Sequence, residues 1–118
     1  MDSHSIQQPT IATRHKLAAY AALYRNELLQ NVLPFWVKHS RDNSNGGFFT
    51  CLDRTGQVYD TDKFMWLQGR QVWCFSSMYH NVSAKSEWLD MALHGANFMK
   101  KHGRDANGNW YFSLTAQG

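Results

Sequence analysis

The stretch Asp60-Thr61-Asp62-Lys63-Phe64-Met65-Trp66-Leu67-Gln68-Gly69-Arg70-Gln71-Val72-Trp73-Cys74-Phe75-Ser76-Ser77-Met78-Tyr79 decides the fold. Asp60, Thr61 and Asp62 can each accept from the free N–H groups of a first helical turn, so a helix is predicted from about Lys63 to Tyr79. Its apolar residues, Phe64, Met65, Trp66, Leu67, Val72, Trp73, Phe75 and Met78, point in every direction around the axis. A helix apolar on all sides either crosses a membrane or is buried among other helices. Lys63, Gln68, Arg70 and Gln71 argue against lipid, where polar and charged side chains are costly. The stretch reads as the inner helix of an all-α assembly.

Working outward, residues from about Thr10 to His39 predict a long helix, with Leu17, Tyr20, Ala21, Tyr24, Leu28, Val32 and Phe35 recurring on one face. Pro34 is expected to kink it or open its last turn, because proline lacks a backbone donor and clashes with the turn before it. Arg41 to Gly47 is a loop of turn formers, and Phe48–Leu52 with Gln57–Tyr59 predicts a small hairpin around Asp53-Arg54-Thr55-Gly56. After Ser86 a third helix is predicted to about His102, with Leu89, Ala92, Ala96 and Met99 as its apolar stripe and Gly103 as its stop.

The end of the chain repeats the earlier loop. Asn45-Gly46-Gly47-Phe48-Phe49-Thr50-Cys51-Leu52-Asp53-Arg54-Thr55-Gly56 aligns without gaps on Asn107-Gly108-Asn109-Trp110-Tyr111-Phe112-Ser113-Leu114-Thr115-Ala116-Gln117-Gly118, an offset of about 62 residues. Each unit is a hairpin followed by two helices, and such a unit needs neighbours on both sides to bury its apolar faces. The second copy ends at its turn glycine, where the first continues into Gln57-Val58-Tyr59. The expectation is a truncated part of a longer α/α repeat protein, with residues 1–10 a polar tail and 11–118 the start of a single domain.

Composition narrows the function classes. With 43% hydrophobic and 18% charged residues the chain of 118 residues is far from the disordered regime and suits one small domain. The net charge of +3 is spread over scattered Lys and Arg, and the one basic cluster, Lys100, Lys101, His102 and Arg104, sits at a predicted helix C-terminus that favours cations for its own stability. A nucleic-acid partner is therefore not expected. Met1–Thr10 lacks the apolar core of a secretory signal and no run approaches membrane-spanning length, so a cytoplasmic protein without a membrane partner is expected. Cys51 and Cys74 have no close-spaced partners and read as reduced thiols. None of the six histidines stands in a metal-ligand spacing, so no metal site is expected.

Trp66, Arg70 and Trp73, four and three positions apart, share one helix face, and Lys63 and Ser77 extend the same line. An indole, guanidinium, indole stripe suits a polyhydroxylated ligand, since the cation can bind oxygens while the rings stack on an apolar sugar face. The alternative is a buried helix whose tryptophans fill the core and whose arginine pairs with a carboxylate. Spacing alone favours that second outcome.

The stretch Gly46-Gly47-Phe48-Phe49-Thr50-Cys51-Leu52-Asp53, then Gly56, Val58-Tyr59-Asp60 and Lys63, and then Trp66-Leu67-Gln68-Gly69-Arg70-Gln71-Val72-Trp73, resembles the N-acylglucosamine 2-epimerase family. The similarity extends back to Tyr24-Arg25 and Leu33-Pro34-Phe35-Trp36 and forward to Asp105, Asn107-Gly108 and Trp110-Tyr111-Phe112. The resemblance implies an (α/α)6 barrel, of which this chain is about the first third, usually assembled as a homodimer. It implies interconversion of N-acetylglucosamine and N-acetylmannosamine by removing the C2 proton of the opened sugar and returning it on the other face. It assigns Arg70 to stabilising the enolate and Trp66 to the sugar pocket, with Lys63 and Trp73 as weaker substrate contacts. The family's acid and base histidines lie on later helices, and none of His4, His15, His39, His80, His94 or His102 matches them, so the isolated chain is expected to be inactive. No cofactor is implied, and ATP enters as an allosteric activator. Mannose isomerases and cellobiose 2-epimerases share the barrel and the arginine and are the enzymatic alternatives. A non-catalytic helical-repeat module that binds protein is the other, since animal members are also known as renin-binding proteins.

Overall fold

The chain begins its helices at Ile11, where the Thr10 hydroxyl accepts the Thr13 N–H and closes the first turn. This computed structural model describes residues 6–118, so the first five residues of the polar tail, His4 among them, lie outside it. The described residues form two compact units, 6–34 and 35–118.

In the first unit, α1 (Ile11–Glu27) runs into a π-helical turn at Leu28–Val32. The last helical segment before the loop is α2 (Leu33–His39). The disturbance expected at Pro34 takes the form of that wide turn, in which the Leu33 N–H reaches back five residues to Leu28. Proline has no N–H to give and its ring crowds the carbonyl four residues back, and a widened turn ahead of it relieves both. Within this unit Tyr20 and Tyr24 stack on each other, and no residue of α1 is buried.

The second unit is built on a pair of antiparallel strand ladders and a pair of helices. β1 (Cys51–Leu52) pairs with β2 (Val58–Asp60) through an irregular register, which is the predicted hairpin. β3 (Lys63–Phe64) pairs with β4 (Ser113–Leu114), bringing the second loop copy back to the start of the inner helix. α3 (Met65–Asn81) and α4 (Ser86–His102) lie against each other, with Gly103 following α4.

Both long helices of this unit depart from their expected form at one point each. The start of α3 is not capped by Asp60, Thr61 or Asp62: Lys63 and Phe64 are extended, and the Met65 N–H is taken by the Phe112 carbonyl. Strand pairing supplied a main-chain acceptor, so no side-chain cap is needed. Asp60 instead accepts the N–H of Asp62 in a local turn. Likewise α4 buries Trp88, Met91, Ala92, Gly95 and Phe98 rather than the stripe through Leu89, Ala96 and Met99, and it starts at Ser86 with Lys85 before it. The two stripes have the same helical spacing and differ by one residue. The larger side chains and Gly95 decide between them, since a Cβ at Gly95 would overlap Phe48 and Val72. Gly95→Ala is therefore expected to lower stability by about 1–3 kcal/mol through overpacking, read as a lower denaturant midpoint with an unchanged slope.

The internal repeat is visible in the contacts. Phe35 lies beside the His39 ring at 5.0 Å, and Phe98 lies beside the His102 ring at 5.0 Å. Arg41 bridges to Phe48 as Arg104 does to Trp110. The Asp42 carboxylate accepts main-chain N–H groups of its own turn, as Asp105 does in the second copy. Gly46 and Gly108 share a left-handed backbone near φ 88° and 84°. Gly56 and Gly118 each leave room that a Cβ would take from the His39 and His102 rings respectively. The copies differ in cover. Phe48 is wholly buried beneath α3 and α4, whereas Trp110 is 52% exposed.

Candidate functional site

α3 carries two different faces. Met65, Gln68 and Phe75 point inward, while Trp66, Arg70 and Trp73 lie on the opposite, exposed side. Trp66 is 62% and Trp73 61% exposed, so neither indole fills the core of this unit. The Arg70 guanidinium sits 5.6 Å from the Trp73 ring centre. Among the described residues it forms no ion pair, leaving its planar donors available. The outcome that spacing alone favours, tryptophans in the core and an arginine paired with a carboxylate, is thus not found among the described residues: the three side chains form one continuous surface of a flat cation beside indoles. It can receive an oxyanion or hydroxyl groups at the guanidinium and an apolar ring face at the tryptophans.

Lys63 is not part of that surface, which corrects its expected place on the stripe. It is wholly buried, and its ammonium donates to Asp42 Oδ2 at 2.6 Å, to the Gly46 carbonyl at 2.7 Å and to the Ala116 carbonyl at 2.8 Å. Three donors meet three acceptors, so none remains for a ligand. Its ammonium also lies over the Phe98 and Phe49 rings, 4.7 and 5.2 Å from their centres. Lys63 ties the first loop copy to the second. Burial pushes the Asp42 carboxyl up, but the Lys63 ammonium and the Asn45 and Ser44 N–H groups outweigh it and hold the carboxyl below 3.8.

The inward side of α3 is polar where it meets the loop. Gln68, wholly buried, accepts the Phe48 N–H and donates to the Phe48 carbonyl, both at 2.8 Å. Gln71 donates to the buried Ser40 hydroxyl, which in turn donates to the Trp36 carbonyl. His94 makes a 2.9 Å contact with the Gly47 carbonyl beside the Phe48 ring, and burial together with the nearby Arg41 charge pushes its pKa down. His39 and His102 are used against phenylalanines, as described above. Asp42, Gln68 and Gln71 carry this side of the site, and in the sequence they stand out only as a loop former and two polar helix residues. The repeated Asp before each Gly turn was the one available signal for Asp42.

A groove of about 540 Å³ opens between α3 and α4, lined by Gly69, Val72, Ala96, Met99, Arg104 and Trp110, with the Arg104 guanidinium 4.4 Å from the Trp110 ring centre. Among the described residues no three His, Cys, Asp or Glu side chains gather as a metal ion would require, and no helix is long and apolar enough to cross a membrane.

A sequence profile described as N-acylglucosamine 2-epimerase (GlcNAc 2-epimerase) matches residues 47–118. The N-acylglucosamine 2-epimerase of Rattus norvegicus is 48% identical over 80 residues, covering 66% of this chain and 19% of that protein. The cellobiose 2-epimerase of Ruminococcus albus is 34% identical over 96 residues, covering 80% of this chain and 24% of that protein. The solved structure of cellobiose 2-epimerase from Bacillus thermoamylovorans superposes with a TM-score of 0.76 at 30% identity, covering 86% of this chain and 26% of its own. The chain thus spans about a fifth to a quarter of the length of the curated relatives it matches. Its helix pairs belong to the (α/α)6 barrel architecture, of which it covers a part.

Proposed function

Because the chain belongs to the N-acylglucosamine 2-epimerase family, we propose that it supplies the anion-stabilising and sugar-stacking face of a 2-epimerase that interconverts N-acetylglucosamine and N-acetylmannosamine. The observation that carries this reading is the exposed Arg70 between Trp66 and Trp73, within the stretch matched to the family. In the opened sugar the C1 carbonyl acidifies the C2 proton. A base removes that proton, the electron pair moves onto the C1 oxygen as an enolate, and an acid returns a proton to the opposite face of C2. Arg70 is the group suited to the enolate oxygen, because its charge is fixed and its fork is planar. Trp66 and Trp73 are suited to the sugar's C–H face, and the acid and base come from helices outside these residues.

The N-acyl sugar is preferred over cellobiose because identity is higher to the N-acylglucosamine 2-epimerases. The same reading extends to a cytoplasmic homodimer that needs no cofactor and takes ATP as an activator, and to a chain that is inactive in isolation for want of the acid and base. The test is incubation of the complete enzyme with N-acetylmannosamine, cellobiose or mannose in deuterated water. C2 deuterium and the epimeric product should appear fastest with N-acetylmannosamine, and exchange with none of the three sugars would refute the reading. Trp66→Ala should raise the apparent KM by about tenfold and leave kcat within about threefold, since stacking acts in the ground and transition states alike.

A further inference from the structure

We infer that Gln68 is a positioning residue: by gripping the Phe48 backbone with both ends of its amide, it sets the rotation of α3 and so the aim of the Trp66, Arg70 and Trp73 face. Its consequence for turnover rests on the epimerase reading, whereas its geometric part does not. The two 2.8 Å hydrogen bonds reproduce the exchange that one strand residue makes with another, here supplied by a helix side chain to a loop residue. Apolar contacts are non-directional, but a donor and an acceptor held at a fixed separation tolerate little rotation.

The loop end of this grip is fixed. Phe48 is wholly buried, and the preceding Gly47 has φ 69°, where a Cβ would come within 2.9 Å of Gln68 Oε1 and of the Phe98 ring. Lys63 holds the same loop through the Asp42 carboxylate and the Gly46 carbonyl. On the helix, Gln68 is two residues from both Trp66 and Arg70, about 200° around the axis, so it faces away from them. Three residues further on, Gln71 reaches Ser40 as a second polar anchor. A guanidinium roughly 9 Å from a helix axis moves about 1.5 Å for each 10° of rotation. A displacement of about 1 Å at a reacting centre is enough to cost a factor of about 10².

The experiment compares Gln68→Met, which keeps the volume and removes both hydrogen bonds, with Met91→Ala, a core change on α4 that leaves the grip intact. In the complete enzyme, kcat and KM are measured by C2 deuterium incorporation from N-acetylmannosamine, at a temperature where each variant is fully folded. The indole NMR resonances of Trp66 and Trp73 are recorded without sugar. The expected result for Gln68→Met is a loss of about 10- to 100-fold in kcat with KM within about threefold, together with shifted indole resonances. Met91→Ala should lower Tm by as much and keep kcat near the parent value. If Gln68→Met does not fold, Gln71→Met makes the same comparison, with an expected loss of about 3- to 10-fold. Unmoved indoles, or a kcat no lower than that of Met91→Ala at equal Tm, would overturn the proposal. A parent enzyme that exchanges with no sugar overturns the epimerase reading instead, and the indole shifts then decide the setting of α3 by themselves.

Discussion

Lys63→Met is expected to destabilise the second unit by about 3–5 kcal/mol, a large share of the roughly 5–15 kcal/mol that holds a small domain together. The cause is not loss of attraction alone. Asp42 is 2% exposed, and without the ammonium its carboxylate remains buried, as do the Gly46 and Ala116 carbonyls that lose their donor. Replacing Asp42 as well, in Lys63→Met with Asp42→Leu, should recover part of the loss, because an apolar pair leaves no stranded charge. Acid should act on the same pair. The folded Asp42 pKa lies below its unfolded value of 3.8, so its contribution is whole above that value and is lost as pH falls through the folded one. Urea midpoints measured at pH 7 and pH 3 check both points. The parent should lose stability on acidification, and Asp42→Asn should lose less.

The parts of the fold legible in the sequence were those set by local pattern. Helix extents, the hairpin and the repeat depend on turn residues and on a 3.6-residue period, and both are written within a few residues of where they act. Lys63 shows where this stops. A lysine at the start of the predicted helix reads as part of the ligand-facing stripe, and its burial depends on Asp42 and Ala116, which lie 21 and 53 residues away. The start of α3 is decided at the same long range, since the acceptor of its Met65 N–H is the Phe112 carbonyl delivered by the β3–β4 pairing. In α4, two stripes fit the period equally well, and the choice fell to Gly95, a residue that counts for nothing in an apolar pattern yet permits the close approach of Phe48. The site divides along the same line. Helical spacing puts Trp66, Arg70 and Trp73 on one face but does not say that the face is exposed, which depends on what packs against α3, and the Gln68 grip joins residues 20 apart through a loop backbone with no side-chain signature.

Arg70→Ala should lower C2 hydrogen exchange in the complete enzyme by about 10² to 10³, with little change in stability. That combination separates a catalytic arginine from a structural one. Arg70 is exposed, its described ring contact is with Trp73, and no carboxylate among the described residues pairs with it, so its removal leaves no buried charge behind. Surface changes of this kind usually fall within about 0.5 kcal/mol, and the denaturant midpoint should hardly move. Arg70→Lys keeps the charge but presents a point cation in place of a planar fork, and should recover part of the lost turnover. The pH profile of the residual activity should keep its shape, because the ionisations that shape it belong to the acid and base. KM should change less than kcat, since the negative charge on the sugar oxygen develops only as the C2 proton leaves. Measured as deuterium incorporation from N-acetylmannosamine at matched folding, an Arg70→Ala rate equal to the parent's would mean that the arginine serves only to hold Trp73 in place.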